Sequence, residues 1–289
     1  MDAKDLMRNA VVIILFTLFG FVGGVLAAES ETAVDGAVQA QVILTVSEGK
    51  RLIAKAVAEM PIVKKALQDG MVIIARGTTN TYVAEELTGR TIAHGAYVVG
   101  WTGPEKGGKA LESGERIEDI VLVNGQVQPG MNMDEALNAL KAGDVVIKGA
   151  NAVDREQQTA GVLIGGGPQS TAGTTGKIYP VVISRKAHLV IPIGLEKQVQ
   201  GSVVDIANKM REPLESLNSV PSMFLVSGHI LTEIEALELL TGASVFQAAA
   251  GGIGGAEGAS RLICRGSREQ VEKALAIAES VQGEPAFLE

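Results

Sequence analysis

The sequence predicts an α/β protein with a largely parallel, Rossmann-like sheet and helices on both of its faces. Short, continuous apolar segments that could form strands alternate with helical stretches, as in sheets that are buried on both sides. The composition agrees, because Gly contributes 35 of the 289 residues and aromatic residues only 3%. Such a chain favours closely packed strands and helices over an aromatic recognition surface.

The N-terminal segment differs from the rest of the chain. Lys4 and Arg8 precede an apolar run at 11–28. The run is just long enough to span a bilayer, and its "VLA" end resembles a signal-peptidase site. We therefore expect residues 1–28 to be a membrane anchor or a signal peptide, with the bulk of the protein membrane-associated and outside the cytoplasm.

A polar linker at 29–39 leads into the predicted α/β domain at 40–212. Its first helix is expected to begin near Ser47 and to break or restart at Pro61. Apolar runs typical of buried strands follow, with helical stretches between several of them. The predicted strands are 71–75, 96–101, 120–123, 144–148, 162–164 and 188–193, and the clearest later helices are 134–141 and 198–210.

Prolines, Ser and Asn interrupt this pattern at 211–221, which predicts a domain boundary. The order strand, helix, strand, strand, helix at 222–289 is typical of a small ferredoxin-like α+β domain. Its glycine-rich segment at 251–258 has more glycines than a hairpin needs. Either its backbone closely approaches a ligand or another subunit, or the loop is merely flexible.

Charge and cysteine content argue against several classes of partner. The formal net charge of −8, without a cluster of Lys and Arg, disfavours nucleic acid. Cys264 is the only cysteine and the three histidines are dispersed, so neither a disulfide framework nor a metal site is expected. No motif indicates a cofactor.

Two predicted strands run directly into loops of small polar residues, at 77–80 and at 149–154. Open α/β sheets bind ligands beyond the carboxyl ends of their strands, and a helix that begins there offers free N–H groups to an anion. We therefore expect one crevice that binds a small anionic molecule, with a third glycine loop at 165–170 facing it. The expected ligand-binding residues are Gly77, Thr78, Thr79, Asn80, Gly149, Asn151, Gly166, Ser170 and Lys177.

A resemblance to a known superfamily is carried by three segments within 72–197, "VIIARGTTNTYVAEEL", "DVVIKGANAVD" and "GVLIGGGPQSTAGTTGKIYPVVISRKAHLVIPIGLEK". They resemble the sugar-phosphate isomerases and CoA-transferases, whose relatives include sensor domains of sugar-responsive repressors and lactate-utilisation proteins. The resemblance implies that the loop at 77–80 holds a phosphate or carboxylate. It also implies an acid/base role for Asp154 and makes Glu196 the candidate for the nucleophilic glutamate of the transferases.

The chain departs from that pattern at residues that would move protons. The isomerases have Asp where this chain has Asn151, and Asn cannot act as a general base. Their lysine beside the glycine run has no counterpart at 164–167. We therefore predict binding of a small anion without turnover. An isomerase- or transferase-type enzyme using Asp154 or Glu196, and a structural protein that assembles into homo-oligomers, stay as alternatives.

We expect a chain that lacks residues 1–28 to fold and stay in solution, because the apolar segment serves the bilayer and adds nothing to the core. The full-length protein is expected to sediment with membranes or to be processed near Ala27 or Ala28. Fractionation of both chains, with circular dichroism of the shorter one, measures these outcomes. Intact full-length protein in the cytosol would contradict the prediction.

Overall fold

The computed structural model describes residues 36–103, 116–165 and 171–288. Val38–Glu289 forms one compact unit. The predicted anchor or signal peptide at 1–28, most of the predicted linker, and the candidate residues Gly166 and Ser170 lie outside the described residues. None of the helices within the described ranges has the length and apolar character that crossing a bilayer requires.

Strands and helices alternate along most of the described chain. The strands are β1 Val38–Leu44, β2 Met71–Ile74, β3 Ile120–Val123, β4 Gln126–Val127, β5 Val145–Ile147, β6 Ala152–Asp154, β7 Thr159–Ile164, β8 His188–Pro192, β9 Ser222–Val226, β10 His229–Leu231, β11 Ser244–Ala250 and β12 Ser260–Gly266. The helices are α1 Val46–Glu59, α2 Pro61–Asp69, α3 Thr78–Thr88, α4 Met133–Ala139, α5 Gly173–Arg185, α6 Val203–Lys209, α7 Glu233–Thr241 and α8 Arg268–Glu279. Short 3₁₀ turns lie at His94–Tyr97 and Leu195–Lys197.

A six-stranded mixed sheet in the order β10-β8-β5-β2-β3-β4 forms the centre of the fold. β10, β8, β5 and β2 are parallel, whereas β3 and β4 are antiparallel to their neighbours. The mixed α/β class is confirmed, but the expectation of a largely parallel sheet does not extend to the whole described chain. Two further sheets, β1-β12-β11 and β6-β7-β9, are antiparallel throughout.

A two-residue turn explains the antiparallel edge of the central sheet. Asn124 and Gly125 join β3 to β4, and both have positive φ, 48° and 73°. A turn with two left-handed residues matches the twist of a hairpin, so it returns the chain antiparallel beside the strand it has just left. The Asn-Gly pair is therefore a local signal for this hairpin.

Alternate residues of the parallel strands pack into two different cores. On one face Val72 and Ile74 of β2 belong to the same buried cluster as Ile53 of α1. On the other face Ile73 packs in a cluster with Leu137 of α4 and Ile178 of α5. Because successive strand residues point to opposite faces, an all-apolar strand such as β2 requires helices on both sides.

Asp144 fixes the amino ends of the two central strands. Its carboxylate accepts hydrogen bonds from the backbone N–H of Met71 at 2.9 Å and of Lys141 at 2.7 Å. The side chain is buried, with 5% of its surface exposed. A carboxylate that accepts backbone N–H groups satisfies donors that would otherwise be buried without partners, so β2 and β5 start in register.

The break predicted at 211–221 does not separate the strands into two groups. β9 follows the break but pairs with β7, and β10 pairs with β8 of the central sheet. At the other end of the chain, β1 pairs with β12 along its whole length. The C-terminal sheet therefore takes its third strand, β1, from the N-terminal side of the predicted α/β domain. The first residues of β1 lie within the predicted linker at 29–39.

Two local predictions are corrected by the structure. The segment at 96–101 is not a strand, because β2 already has β3 on one side and β5 on the other. Its Tyr97 is fully buried instead, and the Tyr97 hydroxyl accepts a hydrogen bond from the backbone N–H of Ile120 at 3.0 Å. The first helix is capped by Thr45 rather than by Ser47, and α2 restarts at Pro61 as expected.

We expect Gly228→Ala to destabilise the fold. A Cβ at this position would lie 2.5 Å from the backbone oxygen of Leu189 in β8, which cannot move without disturbing the central sheet. Overpacking of this kind lowers the free energy of unfolding by about 1–3 kcal/mol. Chemical denaturation measures it. Gly165→Ala is the control, since a Cβ there meets none of the described atoms within 4 Å, and equal stability of the two variants would refute the prediction.

Candidate functional site

A cleft lies where β2 and β5 end, at the carboxyl edge of the parallel strands. It has a volume of about 560 Å³. The loops that follow β2 and β5 contribute most of its polar lining, and α1, the segment at 99–102, β7 and the turn after β8 complete it. The lining residues are Lys50, Arg76, Gly77, Thr78, Thr79, Asn80, Val99, Gly100, Trp101, Thr102, Lys148, Gly149, Ala150, Asn151, Val162, Leu163 and Lys197.

The Asn80 side chain joins the two strand ends that form the floor of this cleft. Its Nδ2 donates to the carbonyl oxygen of Ala75 at 2.6 Å and to that of Ile147 at 3.2 Å. With both amide protons used, Oδ1 is left as an acceptor, and it is buried without a partner among the described residues. A buried carbonyl oxygen of this kind favours a ligand or water that carries a donor.

Helix α3 begins in the cleft with its first-turn donors unoccupied by a side chain. Gly77 is the residue before the helix and supplies no capping oxygen. The first N–H groups of a helix have no acceptor within the helix, and they carry partial positive charge. Thr79 in this turn is 3% exposed, and its hydroxyl has no hydrogen-bond partner within the described chain. These groups together form a site of donors suited to an anion.

Two lysines approach the same turn of backbone from different strands. Lys148 follows β5, and its Nζ donates to the Gly149 carbonyl at 3.2 Å. Lys197 follows β8, and its Nζ donates to the adjacent Ala150 carbonyl at 3.1 Å. Burial, reinforced by the charge of Lys197, lowers the pKa of Lys148 to about 8, and burial likewise lowers the pKa of Lys197.

A third lysine, Lys50 of α1, also lines the cleft and forms an ion pair with Glu196. Its Nζ lies 3.3 Å from Glu196 Oε1. Glu233 lies beside this ion pair and accepts a hydrogen bond from the Leu195 N–H at 2.8 Å. Complete burial and the nearby charge of Glu196 raise the pKa of Glu233 to about 7. Gly49 makes room for this carboxylate, since a Cβ there would lie 2.4 Å from Glu233 Oε1.

Arg76 also lines the cleft and is oriented by Asp119. The Asp119 carboxylate accepts the Arg76 backbone N–H at 2.9 Å. Arg76 Nε lies 3.5 Å from the same oxygen, in an ion pair without hydrogen-bond geometry. The guanidinium donors are therefore only partly used by the described residues, and they remain suited to a carboxylate or phosphate.

The structure brings six of the predicted ligand-binding residues to this cleft, namely Gly77, Thr78, Thr79, Asn80, Gly149 and Asn151. Asn151 uses its Oδ1 to accept the Leu163 N–H at 3.0 Å, which attaches the loop to β7. Gly165 lines a neighbouring cavity of about 420 Å³ that shares Lys148 with the cleft. The rest of that glycine loop lies outside the described residues.

Three other candidates lie elsewhere or act indirectly. Asp154 is in β6, does not line the cleft, and accepts the Gln157 N–H at 3.0 Å in the turn that follows. Lys177 lies outside the cleft in an exposed ion pair, with its Nζ 2.8 Å from Asp134 Oδ1. Glu196 does not line the cleft but holds Lys50.

Sequence reasoning missed Lys50, Lys148, Lys197 and Arg76 as cleft residues. A weak signal exists for Lys148 and Arg76, because each is a charged residue at the end of an all-apolar strand that precedes a glycine. For Lys50 no such signal exists, since a lysine within a helix is usually solvated.

Comparisons of the chain with protein-family models, with curated proteins and with solved structures find no match. Within the described residues, no group of three or more His, Cys, Asp or Glu side chains is arranged to hold a metal ion.

We expect Glu233→Gln to change how stability depends on pH. The folded-state pKa of about 7 exceeds the ordinary value of 4.5, so between these values the folded protein holds a proton that the unfolded chain releases. Stability therefore falls as pH rises through this window, and the variant lacks that fall. At about pH 8 we expect the variant to be more stable than the parent by about 1–3 kcal/mol, with no difference near pH 4.

Urea unfolding across this pH range measures the effect of Glu233→Gln. Glu272→Gln, on the exposed surface of α8, is the matched control and should follow the parent at every pH. A parent protein whose stability does not decline between pH 5 and pH 7.5 relative to Glu233→Gln would contradict the prediction.

Proposed function

We propose that the cleft binds a small molecule that carries a carboxylate or a phosphate. The observation that supports this most directly is Thr79, whose buried hydroxyl has no partner within the described chain and lies at the open N-terminus of α3. Leaving a buried polar group without a partner is unfavourable by about 1–3 kcal/mol, so such a group is expected to meet a ligand or water.

The charge of the cleft supports an anion over a neutral ligand. Lys50, Lys148, Lys197 and Arg76 line it, and no acidic residue does so among those that the structure describes. The chain as a whole has a formal net charge of −8, so the sign of charge is locally reversed. Clustered cations in a concave, partly desolvated site attract anions and raise their local concentration.

The ligand is expected to carry a hydrogen-bond donor beside its anionic group. Thr79, the first turn of α3 and the lysines are donors, whereas Asn80 Oδ1 is an acceptor without a partner among the described residues. A hydroxy acid or a phosphorylated polyol offers oxygens to the donors and a hydroxyl to Asn80. This pattern supports a hydroxylated anion as the ligand class.

Binding without turnover fits the position of the candidate carboxylates. A general base must be within hydrogen-bond reach of the proton it takes, directly or through one water. Asp154 is engaged with the turn after β6, and Glu196 is engaged with Lys50. The enzymatic alternative would need another group to move protons, and detection of isomerase or transferase turnover would favour it.

This proposal has three further parts. They are a Rossmann-like architecture, a ferredoxin-like C-terminal unit, and the resemblance to sugar-phosphate isomerases and CoA-transferases. The four parallel strands β10, β8, β5 and β2, with helices on both faces, support the first. The succession of α7, β11, β12 and α8 supports the second. The small-residue loops at the ends of β2 and β5 support the third.

We also propose that residues 1–28 attach the ligand-binding unit to a membrane, with its bulk outside the cytoplasm. The apolar run and its preceding positive charges support this location. Sugar phosphates and CoA esters are scarce outside cells, so a binding role agrees better with that location than an isomerase role.

We expect Thr79→Val to weaken anion binding without destabilising the fold. The substitution keeps the shape of the side chain and removes a hydroxyl that has no partner among the described residues. Loss of one hydrogen bond to the ligand would reduce affinity about five- to a hundredfold. Calorimetric titration of the full-length protein in detergent with phosphate, lactate and ribose 5-phosphate measures the affinity.

Thr159→Val is the matched control for Thr79→Val. The Thr159 hydroxyl bonds to the Gln157 carbonyl at 3.0 Å in the hairpin between β6 and β7, away from the cleft lining. It should therefore leave anion affinity unchanged. Failure of all three anions to bind, or equal affinity of the Thr79→Val variant and the parent, would refute the proposed site.

A further inference from the structure

The paired lysines at the end of β5 have a geometry that simple anion binding does not require. Lys148 and Lys197 donate to the carbonyl oxygens of consecutive residues, Gly149 and Ala150. Their ammonium groups therefore lie on the same turn of backbone, and both side chains line the cleft. Like charges held together in a partly buried site disfavour the protonated state of at least one of them.

The described residues provide no direct counter-ion for this pair. Within the described chain, no carboxylate lies within 4 Å of the ammonium of Lys148 or Lys197. Lys50, by contrast, is 3.3 Å from Glu196, and Lys177 outside the cleft is 2.8 Å from Asp134. The charges of Glu196 and Glu233 favour the protonated form of Lys197, and the charge of Asp119 favours that of Lys148. Lys148 follows the strand that pairs directly with β2, so it is the amine on the side of the Thr79 turn.

We propose that the Lys148 amine forms a reversible imine with the carbonyl group of a small anionic aldehyde or ketone held in the cleft, an inference that rests on the proposed function. The anionic group is held by Thr79 and the first turn of α3. Lys148 lines the same cleft from the neighbouring strand, and β2 and β5 pair directly. A compact ligand can therefore contact both groups at once.

The reaction balances without an oxidant or another reactant. The lone pair of the neutral Lys148 nitrogen attacks the carbonyl carbon, and the C=O π pair moves to the oxygen, which takes a proton. The Lys197 ammonium is the neighbouring proton donor for the oxygen. The nitrogen then loses a proton, which regenerates the Lys197 ammonium, to give a carbinolamine. A second proton from Lys197 lets the carbinolamine hydroxyl leave as water while the nitrogen lone pair forms the C=N bond, and the iminium nitrogen returns its remaining proton to Lys197. Amine and carbonyl thus give imine and water.

The protonation state of Lys148 makes this attack feasible near neutral pH. With its pKa lowered to about 8, about a tenth of the amine is neutral at pH 7. An ordinary lysine has only about 0.03% of its amine in that form at the same pH. Desolvation and a neighbouring cation are the two means by which a lysine is activated as a nucleophile.

Reductive trapping of the full-length protein in detergent tests this inference. Glyoxylate and dihydroxyacetone phosphate are the probes, cyanoborohydride reduces any imine to a stable amine, and peptide mass spectrometry locates the adduct. We expect one dominant adduct, on Lys148, and a labelling rate that levels off above about pH 8. Surface lysines should instead increase about a hundredfold in rate between pH 7 and pH 9. Inorganic phosphate should slow labelling of Lys148 by competing for the cleft.

Variants separate the covalent step from binding. Lys148→Arg keeps the positive charge but lacks a nucleophilic amine, so it should lose the dominant adduct. Lys177→Arg is the control and should be labelled like the parent. Adducts spread evenly over surface lysines, or undiminished labelling of the Lys148→Arg variant, would overturn the inference. If phosphate still binds in calorimetry while Lys148 is not labelled, the imine fails alone; absence of both means that the anion site fails as well.

Discussion

The amide of Asn80 is the interaction on which the cleft depends. By donating to the carbonyl groups of Ala75, just after β2, and of Ile147, at the end of β5, it sets the separation of the two strands where the chain leaves the sheet. Asp144 performs the same task at the opposite ends of these strands. With both ends fixed, the first turn of α3 and the side chain of Lys148 face a common space. Since both amide protons of Asn80 are used, its buried oxygen is left as an acceptor without a partner among the described residues.

Two acidic residues, Glu196 and Glu233, lie next to cations of the cleft but do not line the cleft themselves. Glu196 neutralises Lys50, and Glu233 is buried deeply enough that its pKa rises to about 7. Near neutral pH this pair therefore carries less negative charge than two ordinary glutamates would. The described residues leave an excess of positive charge in the cleft, and an anion would restore the balance. Burying unpaired charge is unfavourable, so the same cations that favour binding of an anion are expected to destabilise the protein when the cleft is empty.

Local patterns predicted the strands that carry the cleft, but not the partners of those strands. β2 and β5 are apolar throughout and β8 is apolar apart from His188, and the loops after β2 and β5 could be recognised because glycine and small residues follow each strand within three residues. The pairing of β1 with β12 joins opposite ends of the chain, and no local residue specifies it. The burial of Lys148 and Lys197 could not be predicted from local sequence either, because it results from contacts distant in sequence. The hairpin at Asn124–Gly125, in contrast, had a local sequence signal in its Asn-Gly pair, although no hairpin was predicted there.

The hairpin between β6 and β7 places two residues of one sequence motif, Asn151 and Asp154, in different surroundings. Asn151 and Asp154 belong to one short motif, yet Asn151 lines the cleft while Asp154 accepts a hydrogen bond from the backbone of the following turn. Because Asn151 also accepts the Leu163 N–H, it cannot move away without releasing β7. An amide therefore occupies the place where a carboxylate would be needed to take a proton. Within the described lining, Lys148 and Lys197 are the groups whose pKa is lowered by burial.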